Sequence, residues 1–412
     1  MRKSGFVGRR ISRGRFLAGA GSAVALAGLG ACGPQAQQGS NPAPTEGVPE
    51  MPSRPVSLTL IDVAGNLQGS RDMIEAYAEQ HPDVVQQINF TTATAPELPS
   101  KIQAQQRADQ VSLSIGLTGS DGLSAGIEQD LWYKLMPNYE EKFPNLVQNY
   151  AEPAAQELAE GFGILIAYGN FGPTFTYDPG KVSTPPKTTD ELLAYAEQNP
   201  GQFMYARPAN SGPGRSLLMG LPYILGDPDP TDPETWENTW SYLEELGQYV
   251  DSYASSTTPT FEQLGRGSVA MVASTYGWDM NVRVIGTIPK DSAAFALDDT
   301  TLIADGHYAV IPKGLDAERL AVTLDLIAWM LRPEEQAKMY DQAYFYPGPA
   351  VRDVTLDMAP QESQDAVRSV QRPEFDRLAE ELPIEMPLGA VSLVRAFEIW
   401  DERVGGGKVE EE

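Results

Sequence analysis

The chain has 412 residues, which at about 150 residues per domain allows two or three domains and a sizeable buried core. Apolar residues make up 42% and charged residues 21%; with a single cysteine, Cys32, and two histidines, His81 and His307, the composition excludes an internal disulfide framework and a cysteine-rich metal centre. Lys and Arg total 30 against 56 Asp and Glu, a net charge of -26 that argues against a nucleic-acid partner, since phosphate binding needs clustered basic residues.

The first element is an address. Arg2, Lys3, Arg9, Arg10, Arg13 and Arg15 precede an uncharged run from Phe16 to Ala31, too short to cross a bilayer at about 20 residues per helical span, and the pattern predicts a signal peptide over 1–31. The run ends Leu29-Gly30-Ala31-Cys32, which resembles the bacterial lipoprotein box. That resemblance implies lipidation of Cys32 and an exported protein anchored at the outer face of the cell membrane or in the periplasm. The arginines leave twin-arginine and general export both open. Residues 32–55 then form a Gly-, Pro-, Gln- and Ser-rich tether, too poor in large apolar groups to offset the entropy of ordering.

From residue 56 onward, strand-like and helix-like patterns alternate, as in helices packed on mostly parallel sheets. Val56 to Ile61 predicts a strand, Ala64-Gly65-Asn66 a turn, and Ser70 the cap of a helix with Met73, Ile74, Tyr77 and Ala78 on one face. A strand over Gln87–Thr91, a helix over Leu98–Ala108 and an apolar stretch from Val111 to Leu117 follow, the last opening into Thr118-Gly119-Ser120-Asp121-Gly122. In open α/β sheets such loops at the carboxyl ends of strands are where ligands bind. Gly163 to Tyr177 is β-rich but broken by Gly169, Gly172 and Pro173, which suits a crossing between two bodies. Thr188 and Glu191 predict a capping box. Asp227 to Glu234 places four carboxylates in eight residues, yet Pro228, Pro230 and Pro233 deny the flexible loop that calcium needs, and a helix entry at Thr231 or Asp232 is the plainer reading.

Several strings taken together resemble the bacterial extracellular solute-binding proteins of ABC importers, in the maltose-, polyamine- and thiamine-type class. They are Phe175-Thr176-Tyr177-Asp178-Pro179 followed by Pro185-Pro186-Lys187-Thr188-Thr189-Asp190-Glu191, then Arg266 to Met271, Asp305 to Gly314 with the helix from Asp316, and Tyr346 to Val351. The resemblance implies an α/β, two-lobe periplasmic-binding-protein-like fold of type II, with hinge crossings near 169–174, 303–308 and 345–350 and a C-terminal helical segment. It implies lobe 1 over 56–171 plus 306–345, lobe 2 over 172–305 plus 346–412, and a monomer that delivers its solute to permease subunits served by a separate ATPase.

On that geometry the ligand contacts fall on Gly65, Asn66, Thr118, Ser120, Asp121, Asn170, Phe171, Arg207, Asn210, Arg215, Ser274, Tyr276, Trp278, Asp279 and Asp305. Tyr276 and Trp278 offer rings for stacking or belong to the core; Arg207 and Arg215 fork onto the ligand or pair with surface carboxylates. Converging Asp62, Asp121, Asp279 or Asp305 would favour an ammonium-bearing solute, whereas a sugar would meet them through hydroxyls. His307 is expected to be a packed hinge residue, and the lack of a Tyr-Tyr pair counts against iron. No cofactor and no resident metal are expected, and no catalysis. The rival readings are a carbohydrate-active enzyme with paired carboxylates, and a lipoprotein scaffold with no small ligand.

Overall fold

The structure, a computed structural model, describes residues 47–372 and 381–410, and of Asn170 the backbone only. The expected signal peptide, Cys32 and the tether as far as residue 46 lie outside the described residues, which belong to one compact unit over Asn41–Glu412.

Eleven strands follow in chain order among the described residues: β1 Val56–Asp62, β2 Val85–Thr92, β3 Ile115–Thr118, β4 Gly163–Gly172, β5 Thr174–Tyr177, β6 Phe203–Met204, β7 Met271–Ser274, β8 Ala293–Phe295, β9 Leu302–Val310, β10 Pro347–Pro349 and β11 Ile384–Glu385. The larger sheet has the order β10-β4-β9-β3-β1-β2, with β11 beside the start of β9; the smaller has the order β6-β7-β5-β8. Position explains composition: β9, inside the larger sheet, is buried along its whole length, whereas β2, at the edge, is mostly exposed and carries Gln, Asn and Thr. β1 pairs in parallel with β2 and β3, while β9 runs antiparallel to β3 and β4.

Each sheet has its own core. Leu58, Leu60, Ile115, Ile164, Tyr308, Leu324 and Ile327 are buried with the larger sheet, and Phe175, Phe203, Leu217, Leu221, Trp236, Trp240, Leu393 and Trp400 with the smaller. At about 25 cal/mol per Å² of apolar surface, each of these large side chains contributes roughly 1.5–3 kcal/mol on burial. β4 runs to Gly172 in the larger sheet and β5 starts at Thr174 in the smaller, so the chain crosses at Pro173. The helix from Asp316 forms as expected over Ala317–Met330, its N-cap carboxylate accepting the Arg319 N–H at 2.9 Å.

Two expectations are corrected. The first helix starts at Leu67 rather than beyond Ser70, because the Asp62 carboxylate accepts the N–H groups of Ala64, Asn66 and Leu67 at 2.9–3.1 Å; Ser70 sits within the helix and donates back to the Asn66 carbonyl. No crossing occurs at 345–350: β10 pairs with β4 through Pro347↔Gly169 and Pro349↔Ala167, and Ala350, Ala359, Val367 and Val370 join the larger core. The part of 346–412 that packs with the smaller sheet is the C-terminal helix Ala390–Trp400. The helix entry expected at Thr231 or Asp232 holds: Asp232 caps the short 3-10 helix Pro233–Thr235, accepting the Glu234 N–H at 3.1 Å with Pro233 in first position, and the Asp227 carboxylate then accepts from the N–H groups of Asn238 and Thr239 and the Thr239 hydroxyl in the first turn of the helix Glu237–Leu246.

Candidate functional site

A cavity of about 310 Å³ lies between the two sheets. On the larger-sheet side it meets the loops that leave the carboxyl ends of β1 (Val63, Ala64, Gly65), β2 (Ala93, Thr94) and β3 (Asp121). On the other side stand Asn210 to Arg215, the Ser256-Thr257-Thr258 turn, Thr275 and Trp278. Asp305 and His307 of β9 and Tyr344 close it from the crossing.

The loop conformations follow from the sequence. Gly65 has φ +72°, a left-handed value that a side chain disfavours, and a Cβ there would stand 1.8 Å from the Tyr344 hydroxyl, so Gly is required twice over. Tyr344 is set in place by Gln342 and Ala343, both non-glycine residues at positive φ, +48° and +57°. Gly277, at φ +103°, starts the helix Trp278–Val284 and turns Trp278 toward the cavity, while Tyr276 goes the other way and packs edge-on against Tyr346.

The floor carries a buried ion triad. Arg215, in the first turn of the helix Gly212–Leu225, donates from one terminal nitrogen to Asp121 Oδ2 and from the other to Asp305 Oδ2, each at 2.8 Å, with its side chain 4% exposed. Burial alone would lower the Arg215 pKa, but Asp305 and Asp121 outweigh it and hold the guanidinium charged. The second carboxylate oxygens are also used: Asp305 Oδ1 accepts the Gly306 N–H and the Ser120 hydroxyl, and Asp121 Oδ1 accepts the Gly122 N–H. His307 is pushed below the usual imidazole range by burial, which with nearby Arg215 outweighs the pull of Asp305 and keeps it neutral. It lies on β9 opposite Ala167 with its ring edge-on to Phe345, and it lines the cavity, where packing alone was expected of it.

Three polar atoms around the cavity lack a protein partner among the described residues: Trp278 Nε1, Thr275 Oγ1 and His307 Nδ1. Buried donors and acceptors left in this state cost free energy that a hydrogen-bonding occupant would recover. A second cavity of about 180 Å³ adjoins the first and shares Thr258, Trp278 and Tyr344, whose rings meet edge-to-face at 4.9 Å.

Of the residues expected in the site, Gly65, Asp121, Asn210, Arg215, Trp278 and Asp305 line the cavity. Ser120 stands one bond behind, on Asp305, and Asn66, Thr118 and Ser274 are buried in the framework. The Asn170 side chain lies outside the described residues. Four more do not line the cavity: Arg207 is taken by Asp401, Asp279 by Arg283 at 2.8 Å, Tyr276 by the core, and Phe171 packs edge-on with Tyr168. Asp279 is fully buried, and burial raises its pKa against the pull of Arg283 and Arg372. Sequence reasoning missed Thr94, Ser256 to Thr258, His307 and Tyr344. The Ser-Ser-Thr-Thr run at 255–258, which opens the helix Thr257–Gly265, was the available signal. No cluster of three or more potential metal-ligating side chains occurs among the described residues, and no helix there is long and apolar enough to cross a membrane.

Two α/β lobes joined by a strand crossing, with a cavity between them, define the type II periplasmic binding-protein fold. The bacterial extracellular solute-binding protein family matches residues 72–367, and the chain belongs to that family. It is similar to Protein YnjB of Escherichia coli (strain K12), 26% identical over 237 residues that cover 54% of this chain and 57% of that protein, so the match spans little more than half of that relative. Among solved structures, a periplasmic thiamin binding protein superposes with a TM-score of 0.62 at 14% identity, covering 87% of this chain and 99% of the other. The spermidine/putrescine ABC transporter substrate-binding protein PotD from Streptococcus pneumoniae gives 0.55 at 14%, covering 84% and 99%. At such identities the likeness establishes the fold.

Proposed function

We propose that the protein is the membrane-tethered extracellular binding subunit of an ABC importer, which captures a small polar solute, sugar or amine in type, between its lobes and hands it to the permease. The observation that carries this reading is the cavity itself: hydroxyls, an aromatic ring and charged groups enter it from both sheets. Contacts that one solute makes with both walls exist only when the lobes are together, so binding energy shifts the population toward closure, a hinge motion about the crossing. The permease would read that closed form. Asp121 and Asp305 each give an oxygen to Arg215, which favours a binding role over general acid-base work for the pair.

Anchoring through Cys32, export by the segment 1–31 and a monomeric state belong to the same proposal. A thermal-shift screen of the purified protein against sugars, amines, thiamine, amino acids and metal ions tests the binding role. A solute at 100 times its dissociation constant adds about 2.7 kcal/mol and moves the melting point by several degrees. A selective response from one chemical class is expected, and a flat screen across all of them counts against the proposal. Replacing Cys32 by Ser should release the protein from membranes; continued membrane fractionation would remove the lipid anchor from it.

A further inference from the structure

We infer that Arg215 sets a charge ceiling on the solute: the site takes a neutral polyhydroxylated molecule or one carrying a single ammonium, and rejects di- and tricationic amines as well as anions. The inference rests on the interlobe binding role and narrows it. Two carboxylates, Asp121 and Asp305, reach the cavity and by themselves would suit a dication. Arg215 lies between them, 2.8 Å from each. Of the cavity-lining side chains, the charged ones are these three, so the lining totals one negative charge with His307 held neutral.

A second ammonium would therefore enter a desolvated space without a free counter-ion, a costly arrangement. Anions are disfavoured by the residual negative charge. At three helix starts around the cavity an N–H group already has a side-chain acceptor, which weakens their pull on an anion: Asp62 takes those of Asn66 and Leu67, Asp121 takes that of Gly122, and Ser211 takes that of Gly214. What remains open is the Trp278 ring with its unpartnered Nε1, the Tyr344 ring and the row of hydroxyls at Ser256 to Thr258. That set suits one cation over an aromatic face or a sugar-like array of hydroxyls.

The test is calorimetric titration of the full chain in detergent with four probes: glucose, choline, putrescine and spermidine. Wild type should bind putrescine and spermidine at least tenfold more weakly than the better of glucose and choline. Arg215→Met, which uncovers both carboxylates, should gain at least tenfold for putrescine. A wild type that prefers putrescine or spermidine overturns the ceiling, as does a folded Arg215→Met that shows no gain. Should Arg215→Met not melt cooperatively, Asp121→Asn replaces it: the lining then totals zero, and affinity for choline relative to glucose should fall at least fivefold, an unchanged ratio overturning the inference. The two readings fail separately, since a wild type that prefers putrescine keeps the binding site and refutes only the ceiling, whereas a flat wild-type screen refutes the site.

Discussion

Replacing Gly65 by Ala probes the closest approach in the cavity wall. The new Cβ would lie 1.8 Å from the Tyr344 hydroxyl oxygen and 2.8 Å from its Cζ, so the ring must move. The Gly65 loop cannot yield easily, because Asp62 holds the N–H groups on both sides of it, those of Ala64 and Asn66. Two contributions add. A φ of +72° costs an L-residue about 1–2 kcal/mol, and forcing an atom into an occupied space costs about 1–3 kcal/mol, so the substitution should destabilise by about 2–5 kcal/mol. They separate in a double-mutant cycle followed by urea unfolding. In a Tyr344→Ala background the overlap is gone and only the backbone part, about 1–2 kcal/mol, should remain, giving a coupling of about 1–3 kcal/mol. A Gly65→Ala cost below about 1 kcal/mol, or an equal cost in both backgrounds, would refute the reasoning.

Gln336 is fully buried and donates to the carbonyls of Ile166 and Met330 while accepting from the N–H groups of Ala350 and Val351. Gln336→Leu should cost about 3 kcal/mol or more in urea unfolding, since each orphaned buried group costs about 1–3; a loss under 1 would show that water replaces the side chain. Because the native pKa of His307 is depressed below 6.5, the neutral ring contributes stability that is complete above that pH and lost as pH falls toward the native value, at no more than about 1.4 kcal/mol per unit. His307→Phe should flatten the stability profile between pH 6.5 and 5, and a profile parallel to wild type would contradict the assignment. Trp278→Ala should weaken whatever solute the thermal screen identifies by tenfold or more, while Arg207→Ala, whose guanidinium pairs with Asp401, should leave its affinity within twofold by calorimetry.

The sequence made the framework legible where a local rule decided the outcome. Thr188 accepts the Glu191 N–H as a cap should, and Met73, Ile74 and Tyr77 are buried on the helical spacing that marked them. Where partners far away in sequence decide, it did not. Arg207 and Arg215 stand in one polar stretch with nothing local to separate them; Asp401, 194 residues away, takes the first, and Asp121 and Asp305, 94 and 90 residues away, take the second. Tyr346 to Val351 was expected to be a crossing from its resemblance to the family's third one, yet three of its residues pair antiparallel to β4, as an edge strand with prolines tolerates. Tyr344 escaped notice because the left-handed pair Gln342 and Ala343 that aims it carries no glycine to signal the turn.

The ion triad bears on how closure is poised. Arg215 is carried by a helix of the smaller lobe, with Leu217 and Leu221 in its core, whereas Asp121 begins a helix packed on the larger sheet and Asp305 lies on β9. Separating the lobes would return all three groups to water. Bringing them together trades hydration for charge-assisted hydrogen bonds, an exchange that in buried ion pairs comes out close to even. If the lobes close as proposed, the triad would specify the geometry of the closed form without locking it shut. The balance then falls to contacts a solute makes across the cavity: Trp278 Nε1 and Thr275 Oγ1 stand on one side and His307 Nδ1 on β9, and each hydrogen bond that forms only on closure adds about 1 kcal/mol, about a fivefold change in the ratio of closed to open molecules. On the proposed mechanism such a site would respond to occupancy, because an ion triad that breaks about even leaves the choice between the two states to the solute.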